Sequence, residues 1–134
     1  TALGDQGLIV PVLHNAQNMD LQAIAEKLAD LTSRARDNKL DPADVRGGTF
    51  TISNHGVSGS LIATPIIINQ PQSAILGVGK IEKRIKIREI DGEDVMSIRP
   101  MCYVSLTIDH RVLDAFQTNA FLTELVSVLE NWSD

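Results

Sequence analysis

The sequence of 134 residues predicts a mixed α/β fold, because helical and strand patterns alternate along a chain of ordinary globular composition. Two helical patterns stand out, at residues 20–38 and 121–132, where apolar side chains recur every three or four positions. Between them lie two strand patterns, the Thr- and Ile-rich "TFTISN" and the apolar "SAILGVG". The length suits one domain with a hydrophobic core.

The first part of the chain contains one strong helix and weaker flanking signals. The apolar residues 7–13 predict a strand near a sheet edge or an irregularity, since Pro11 cannot donate a ladder hydrogen bond. Residues 20–38 predict an amphipathic helix, with Asn18 or Asp20 as its N-cap. The Asp41-Pro42 pair then predicts the cap and first residue of a short helical turn.

The later part of the chain predicts strands that lead to a histidine. Alternation over residues 81–87 predicts a half-exposed strand, and the Asp91-Gly92 pair predicts a tight turn after it. Residues 95–108 predict the returning strand, with Cys102 as a buried structural thiol on its apolar face. This strand places His110 directly before the last helix.

Composition argues against several classes of function. A net charge of −5 without a basic stripe argues against nucleic-acid binding. No apolar run approaches the roughly 20 residues of a membrane helix. The single cysteine excludes an internal disulfide framework and fits a reducing compartment. The three histidines lie far apart and no Cys-x-x-Cys pair occurs, so we expect no metal site.

The strongest candidate for chemistry is His110, within "SLTIDHRVLDAFQTN". A histidine at a strand end is often structural, but Asp109, Arg111 and Asp114 cluster around this one. A histidine acts as a general base when it titrates near neutrality and an acceptor fixes its tautomer. A second polar group must then stabilise the developing oxyanion, and the hydroxyl of Ser53 at the end of "TISN" is a candidate. Residue patterns do not show whether the two side chains meet.

The chain resembles one enzyme family over residues 4–132, in the segments "GLIVPVL", "GGTFTISN", "GSLIATPI", "PQSAILGVGKIEKR" and "RPMCYVSLTIDHR", followed by "VLDA". These segments are similar to the catalytic domain of the dihydrolipoamide acyltransferases, the core subunits of 2-oxo acid dehydrogenase complexes. The resemblance implies a chloramphenicol acetyltransferase-like fold, a two-layer α/β sandwich with a mixed sheet. It also implies that residues 1–134 are the C-terminal part of that domain, without the lipoyl and peripheral-subunit-binding domains. A start at Thr1 without an initiator Met agrees with a piece of a longer protein.

The resemblance also assigns roles, substrates and partners. His110 becomes the general base, Ser53 the donor to the tetrahedral intermediate, and Asp114 a residue that supports the site. Coenzyme A becomes the acyl acceptor, and lipoamide on a separate lipoyl domain becomes the acyl carrier. The expected assembly is a homotrimer, with active sites between subunits, in a cubic or icosahedral core. Its partners are a 2-oxo acid decarboxylase-dehydrogenase and dihydrolipoamide dehydrogenase, in the bacterial cytoplasm or the mitochondrial matrix.

Two departures from the family pattern leave alternatives open. Ala115 stands where the family has a glycine, and "TPIIINQPQ" is one residue longer than the pattern. These departures motivate a non-catalytic core or assembly subunit as the alternative to an enzyme. A stand-alone small-molecule acetyltransferase of the same fold is a further alternative, which "PQSAILGVGKIEKR" argues against. The acyl group stays open among succinyl, branched-chain acyl and acetyl.

Overall fold

The chain divides into two compact units, Thr1–Thr49 and Phe50–Asp134, which are described separately. The structure is a computed structural model that describes residues 1–132. None of the helices in this part of the chain is long and apolar enough to cross a lipid bilayer.

The first unit is built around helix α1, Leu21–Arg36, which confirms the predicted helix. Asp20 is the N-cap, because its side chain accepts a hydrogen bond of 2.7 Å from the backbone N–H of Ala23. The predicted helical turn is also present, as a 3-10 helix at Pro42–Val45. Arg34 ties the two helices together through a bidentate pair with Asp44, at 2.6 and 3.1 Å. This guanidinium lowers the pKa of the Asp44 carboxyl.

The strand predicted at residues 7–13 is not formed. Within the described part of this unit, the run makes one isolated antiparallel bridge, between Leu8 and Ala2. Further along, the N–H of Val12 donates to the carbonyl of Asp44 instead of to a neighbouring strand. A ladder needs a continuous row of donors, and Pro11 interrupts that row.

The second unit, as far as residue 132, contains five strands and one α-helix, in the order β1 (Thr51–Asn54), β2 (Ala74–Val78), β3 (Glu82–Ile90), β4 (Glu93–Met101), β5 (Val104–Ile108) and α2 (Ala115–Glu130). Strands β1, β2 and β5 form a mixed sheet in the order β1-β2-β5. β1 runs parallel to β2, and β5 runs antiparallel to it. The buried core of this unit includes Ala74, Ile75 and Leu76 of the central strand. The mixed sheet and the predicted strands "TFTISN" and "SAILGVG" are thus present.

Strands β3 and β4 form a separate two-stranded sheet. The turn between them is the predicted one, because Asp91 and Gly92 both adopt positive φ angles of 54° and 83°. The predicted return over residues 95–108 is two strands, not one, and the chain changes sheets at Cys102 and Tyr103. Cys102 is exposed, so the prediction of a buried thiol is wrong. The alternation of apolar residues continues across this junction, so the sequence pattern does not show that one strand ends and another begins there. The break is evident only because the two strands belong to different sheets.

An extended segment, residues 61–73, runs beside the sheet without joining it as a strand. The hydroxyls of Ser105 and Thr107 on β5 donate to the carbonyls of Ala63 and Pro65. Gly77 on β2 allows this approach, because a Cβ there would lie 2.6 Å from the Ala63 carbonyl oxygen. The extra residue of "TPIIINQPQ" therefore falls in a segment with no strand ladder, where it inverts no side-chain alternation.

Helix α2 confirms the last predicted helix and contacts both sheets of its unit. Its Phe121 ring lies 5.9 Å from the ring of Phe50, which precedes β1. Near its end, Glu130 accepts a 3.1 Å hydrogen bond from the ammonium of Lys86 on β3. Six residues separate the end of β5 from the start of α2, so the fold places His110 between strand and helix, as predicted.

Candidate active site

His110 lies in a tight turn that the backbone anchors at Asp109. The N–H of Asp109 donates to the carbonyl of Ser73 at 2.8 Å, which fixes the end of β5 against the residue before β2. The carbonyl of Asp109 then accepts hydrogen bonds from Val112 at 2.9 Å and Leu113 at 3.0 Å. His110 sits at the top of this turn with its side chain exposed.

The side chain of Asp109 closes the same turn. Its carboxylate accepts the backbone N–H of Arg111 at 3.0 Å and three guanidinium hydrogen bonds at 2.9, 3.2 and 2.6 Å. These hydrogen bonds, with the positive charge of Arg111, lower the pKa of Asp109 to about 2. The carboxylate is largely covered, with a side-chain exposure of 14%. Asp109 and Arg111 therefore form a small rigid clamp on either side of His110.

Asp114 is the N-cap of α2. Its side chain accepts the N–H of Gln117 at 2.9 Å, and the Gln117 side chain accepts the N–H of Asp114 at 3.4 Å. This reciprocal pair is a capping box, which satisfies two backbone donors at the start of the helix. Asp114 thus fixes where the helix begins and where the turn before it ends.

The charged residues of the predicted cluster are thus close to His110 in sequence, but their side chains bind other groups and not the imidazole. Asp109 binds Arg111, and Asp114 caps the helix. Among residues 1–132, nothing hydrogen-bonds to the His110 imidazole, so this part of the chain supplies no side-chain acceptor that would fix its tautomer. The turn presents the imidazole outward, where a second molecule can meet it.

Ser53 lies on β1 and has a partner that sequence reasoning missed. Its Oγ is 3.0 Å from Nε2 of His55, two residues along. His55 stands two residues after Ser53, a spacing that puts two side chains on the same face of an extended chain.

Ser53 and His110 are not neighbours within one chain. The sheet register aligns Ser53 with Gly77 and Gly77 with Ser105, whereas β5 continues to Ile108 before the turn that carries His110. Three residues along the sheet and two strand spacings across it put Ser53 roughly 14 Å from Ile108. His110 lies beyond Ile108, so the two predicted catalytic side chains are far apart in a single copy.

Comparison with known proteins identifies the family. The family model for 2-oxoacid dehydrogenases acyltransferase (catalytic domain) matches residues 2–134. The chain belongs to this acyltransferase family. The dihydrolipoyllysine-residue succinyltransferase component of the 2-oxoglutarate dehydrogenase complex of Rickettsia typhi is 46% identical over 127 residues, which is 95% of this chain and 31% of the relative. The acetyltransferase component of the pyruvate dehydrogenase complex of Corynebacterium glutamicum is 46% identical over 124 residues, covering 92% of this chain and 18% of the relative.

Solved structures of the acyltransferase family share this fold. A probable dihydrolipoamide acetyltransferase of Listeria monocytogenes superposes with a TM-score of 0.87 at 38% identity, over 98% of this chain and 54% of that one. The dihydrolipoamide acetyltransferase of Azotobacter vinelandii superposes with a TM-score of 0.85 at 36% identity, over 95% and 50%. The chain thus spans about half of these solved chains and less than a third of the curated relatives. The predicted acyltransferase fold is confirmed.

The Azotobacter vinelandii acyltransferase was studied for the roles of a serine, a histidine and an asparagine in its catalytic mechanism. Its asparagine stands four residues after its histidine. In this chain the residue four positions after His110 is Asp114, which caps α2.

Within the described residues, no group of three side chains of the types that bind metals is close enough to hold an ion.

Proposed function

We propose that this chain is the C-terminal part of a catalytic domain that transfers an acyl group from acyl-dihydrolipoamide to coenzyme A. The observation that carries the proposal is the outward-facing His110, held on a clamped turn in a chain of this acyltransferase family. The carrier would be lipoamide on a lipoyl domain, and coenzyme A would be the second substrate.

His110 would act as the general base. It would take the proton from the thiol of coenzyme A, and the thiolate would attack the thioester carbonyl of acyl-dihydrolipoamide. Ser53 would donate its hydroxyl hydrogen to the oxyanion of the tetrahedral intermediate. Collapse of the intermediate would expel the dihydrolipoamide thiolate, which would recover the proton from His110. Asp114 would act indirectly, by fixing the start of α2 and thus the turn that carries the base.

The two catalytic side chains would come from different copies. Their separation within one chain supports a site between subunits of a homotrimer, since the two groups must both lie near one reacting carbonyl. The exposure of large apolar side chains supports burial against further protein. Ile66 is 85% exposed and Ile67 80% in the single chain.

The homotrimer would be the building block of a larger core. A chain from the cubic core of a pyruvate dehydrogenase multienzyme complex superposes with a TM-score of 0.85 at 35% identity, which supports assembly into a larger core, cubic or icosahedral. The partners would be a 2-oxo acid decarboxylase-dehydrogenase and dihydrolipoamide dehydrogenase. The relatives are bacterial, which favours the cytoplasm over the mitochondrial matrix.

Subunit mixing tests the shared site. His110→Ala and Ser53→Ala proteins are each prepared, mixed in equal amounts under conditions that allow exchange, and assayed for acyl transfer. With random assembly, a site is intact when one copy supplies His110 and its neighbour supplies Ser53, which gives about a quarter of all sites. We therefore expect activity to return to about a quarter of wild type. A mixture that stays as inactive as its parents would overturn the shared site.

Neither departure from the family pattern supports a non-catalytic assembly subunit within this chain. Ala115 is exposed as the first residue of α2, so its methyl group does not lie in the core. Assay of the whole protein with acyl-coenzyme A and dihydrolipoamide separates the two functions. Initial rates with succinyl-, acetyl- and isobutyryl-coenzyme A then identify the acyl group, because succinyl- and acetyltransferase relatives are equally similar at 46% identity.

A further inference from the structure

The proposed function gives a role to Ser53 but none to its hydrogen bond with His55. The two side chains lie on the same face of the chain, with Ser53 Oγ and His55 Nε2 at a hydrogen-bonding distance of 3.0 Å. His55 follows the last residue of β1 and precedes a 3-10 turn at Gly56–Ser58. The ring therefore reaches back along the strand toward the serine.

The backbone of His55 is held on both sides. Its N–H donates to the carbonyl of Val78 at 3.0 Å, which continues the pairing of β1 with β2 beyond Asn54. Its carbonyl accepts the N–H of Ser58 at 3.1 Å and the Ser58 hydroxyl at 2.9 Å. Gly56 lies against the backbone of Gly79, where a Cβ would collide with the Gly79 carbonyl. These contacts fix the backbone position of His55. The turn thereby brings the imidazole within hydrogen-bonding distance of Ser53.

The direction of this hydrogen bond decides what the serine can do. A hydroxyl has one hydrogen to donate and lone pairs that accept. If Ser53 donated to Nε2, its hydrogen would be occupied and it would resemble a nucleophile beside a base. If Nε2–H donates to Oγ, the hydrogen of Ser53 stays available for an oxyanion, and rotation about the C–O bond is restricted.

We propose that His55 is a positioning residue that donates from Nε2–H to Ser53 Oγ and aims the serine hydroxyl at the tetrahedral intermediate. This inference rests on the proposed function, because it needs Ser53 to be the oxyanion donor. His55 itself touches neither substrate nor the reacting atoms. Its contribution is orientation of the donor before charge develops, so it acts on kcat and not on KM.

The test is a matched pair of amide variants, His55→Gln and His55→Asn, in the whole protein. The Nε2 amide of glutamine reaches the position of the imidazole Nε2 and donates to Ser53, whereas the shorter asparagine does not reach. We expect His55→Asn to lower kcat about tenfold with KM unchanged, and His55→Gln to stay within about threefold of wild type. Thermal melting and sedimentation confirm that both variants fold and assemble, since the His55 side chain is exposed.

A double-mutant cycle with Ser53→Ala links the effect to the serine. Ser53→Ala should lower kcat by about 10²–10³, as for other single oxyanion donors. Adding His55→Asn to Ser53→Ala should then cost nothing further, because the group that His55 orients is gone. Equal kcat values for the Gln and Asn variants, or additive losses in the cycle, would overturn the proposal.

Two other results would overturn it in distinguishable ways. An acyl group found covalently on Ser53 after incubation with acyl-coenzyme A would make the serine a nucleophile and His55 its base. A Ser53→Ala protein with full kcat would instead remove Ser53 from the proposed mechanism, and the failure would lie in the proposed function.

Discussion

At the scale of single residues, Asp109 is the side chain that most directly fixes the turn carrying the candidate base, His110. Asp109 anchors the turn through its backbone and clamps it through Arg111, with His110 held between them. The sequence predicted a charged cluster at this point, and the structure shows that Asp109 pairs with Arg111 while Asp114 caps α2. The clamp fixes the turn that carries the imidazole.

The clamp leads to a prediction about stability and pH. The pKa of Asp109, about 2 in the folded chain, is below its usual 3.8, so its ionised form stabilises the fold above about pH 4. That contribution is lost as the pH falls from about 4 to about 2. Asp109→Asn should therefore be less stable than wild type at pH 7, and the difference should shrink as the pH falls through this window.

Urea unfolding at several pH values measures this effect. Asp37→Asn is the matched control, because Asp37 pairs with Lys39 at 3.2 Å in an exposed setting. We expect the control to change stability little at any pH. A difference between Asp109→Asn and wild type that stays constant from pH 7 to about 2.5 would contradict the role of the ionised carboxylate.

At the scale of elements, α1, β1, β2 and α2 form where local patterns predict them, because caps and periodicity reinforce each other. Asp20 caps α1 and Asp114 caps α2 through hydrogen bonds to backbone donors of the first turn. The cap on α2 also affects the position of the proposed base, since the six residues between β5 and α2 include His110. A displaced helix start would displace His110.

The cap predicts different outcomes for two substitutions at Asp114. Asparagine is as good an N-cap as aspartate, so Asp114→Asn should keep both stability and kcat near wild type. Asp114→Ala removes the cap and should cost about 1 kcal/mol of stability, with a loss of kcat as the turn loosens. Chemical denaturation and steady-state kinetics of the two variants check this. A large loss of kcat in the asparagine variant would mean that the charge of Asp114, and not its cap, serves the reaction.

At the scale of the whole molecule, much apolar surface is left uncovered by the chain itself. On the β3–β4 hairpin, Ile85 is 68% exposed and its cross-strand partner Ile98 70%. The opposite face carries Lys86, which pairs with Glu130 of α2. The charged face of this hairpin thus faces its own chain, and the apolar face points away from it. In an isolated domain the apolar face of an antiparallel sheet would instead pack on the core.

This surface predicts the effect of polar substitutions in the extended segment. Ile66→Gln and Ile67→Gln change side chains that are almost fully exposed in the chain, so each should alter its stability within about 0.5 kcal/mol. If these side chains are buried against another copy, each variant should weaken assembly of the whole protein. Analytical ultracentrifugation measures the assembly, and chemical denaturation of the dissociated subunits supplies the control. Assembly of both variants at wild-type strength would show that this segment faces solvent in the complex.

The local sequence determined the helices, the two central strands, the tight turn at Asp91-Gly92 and the position of His110 between strand and helix. Each of these follows from interactions within a few residues: a cap, a turn with positive φ, or a short-range alternation of apolar side chains. The resemblance added the fold and the roles of His110, Ser53 and Asp114, and these roles stay predictions.

Only the tertiary structure decided features that depend on residues distant in sequence. Pairing with a neighbouring strand separates a real strand from an apolar run, and residues 7–13 lack that pairing. The same dependence divides residues 95–108 between two sheets and leaves Cys102 exposed. The register of three strands places Ser53 far from His110, and the turn after β1 brings His55 to Ser53. The register of a sheet and the pairing of its strands depend on the whole chain. The local pattern of a strand distinguishes its apolar face from its polar face, but it does not specify which element packs on either face.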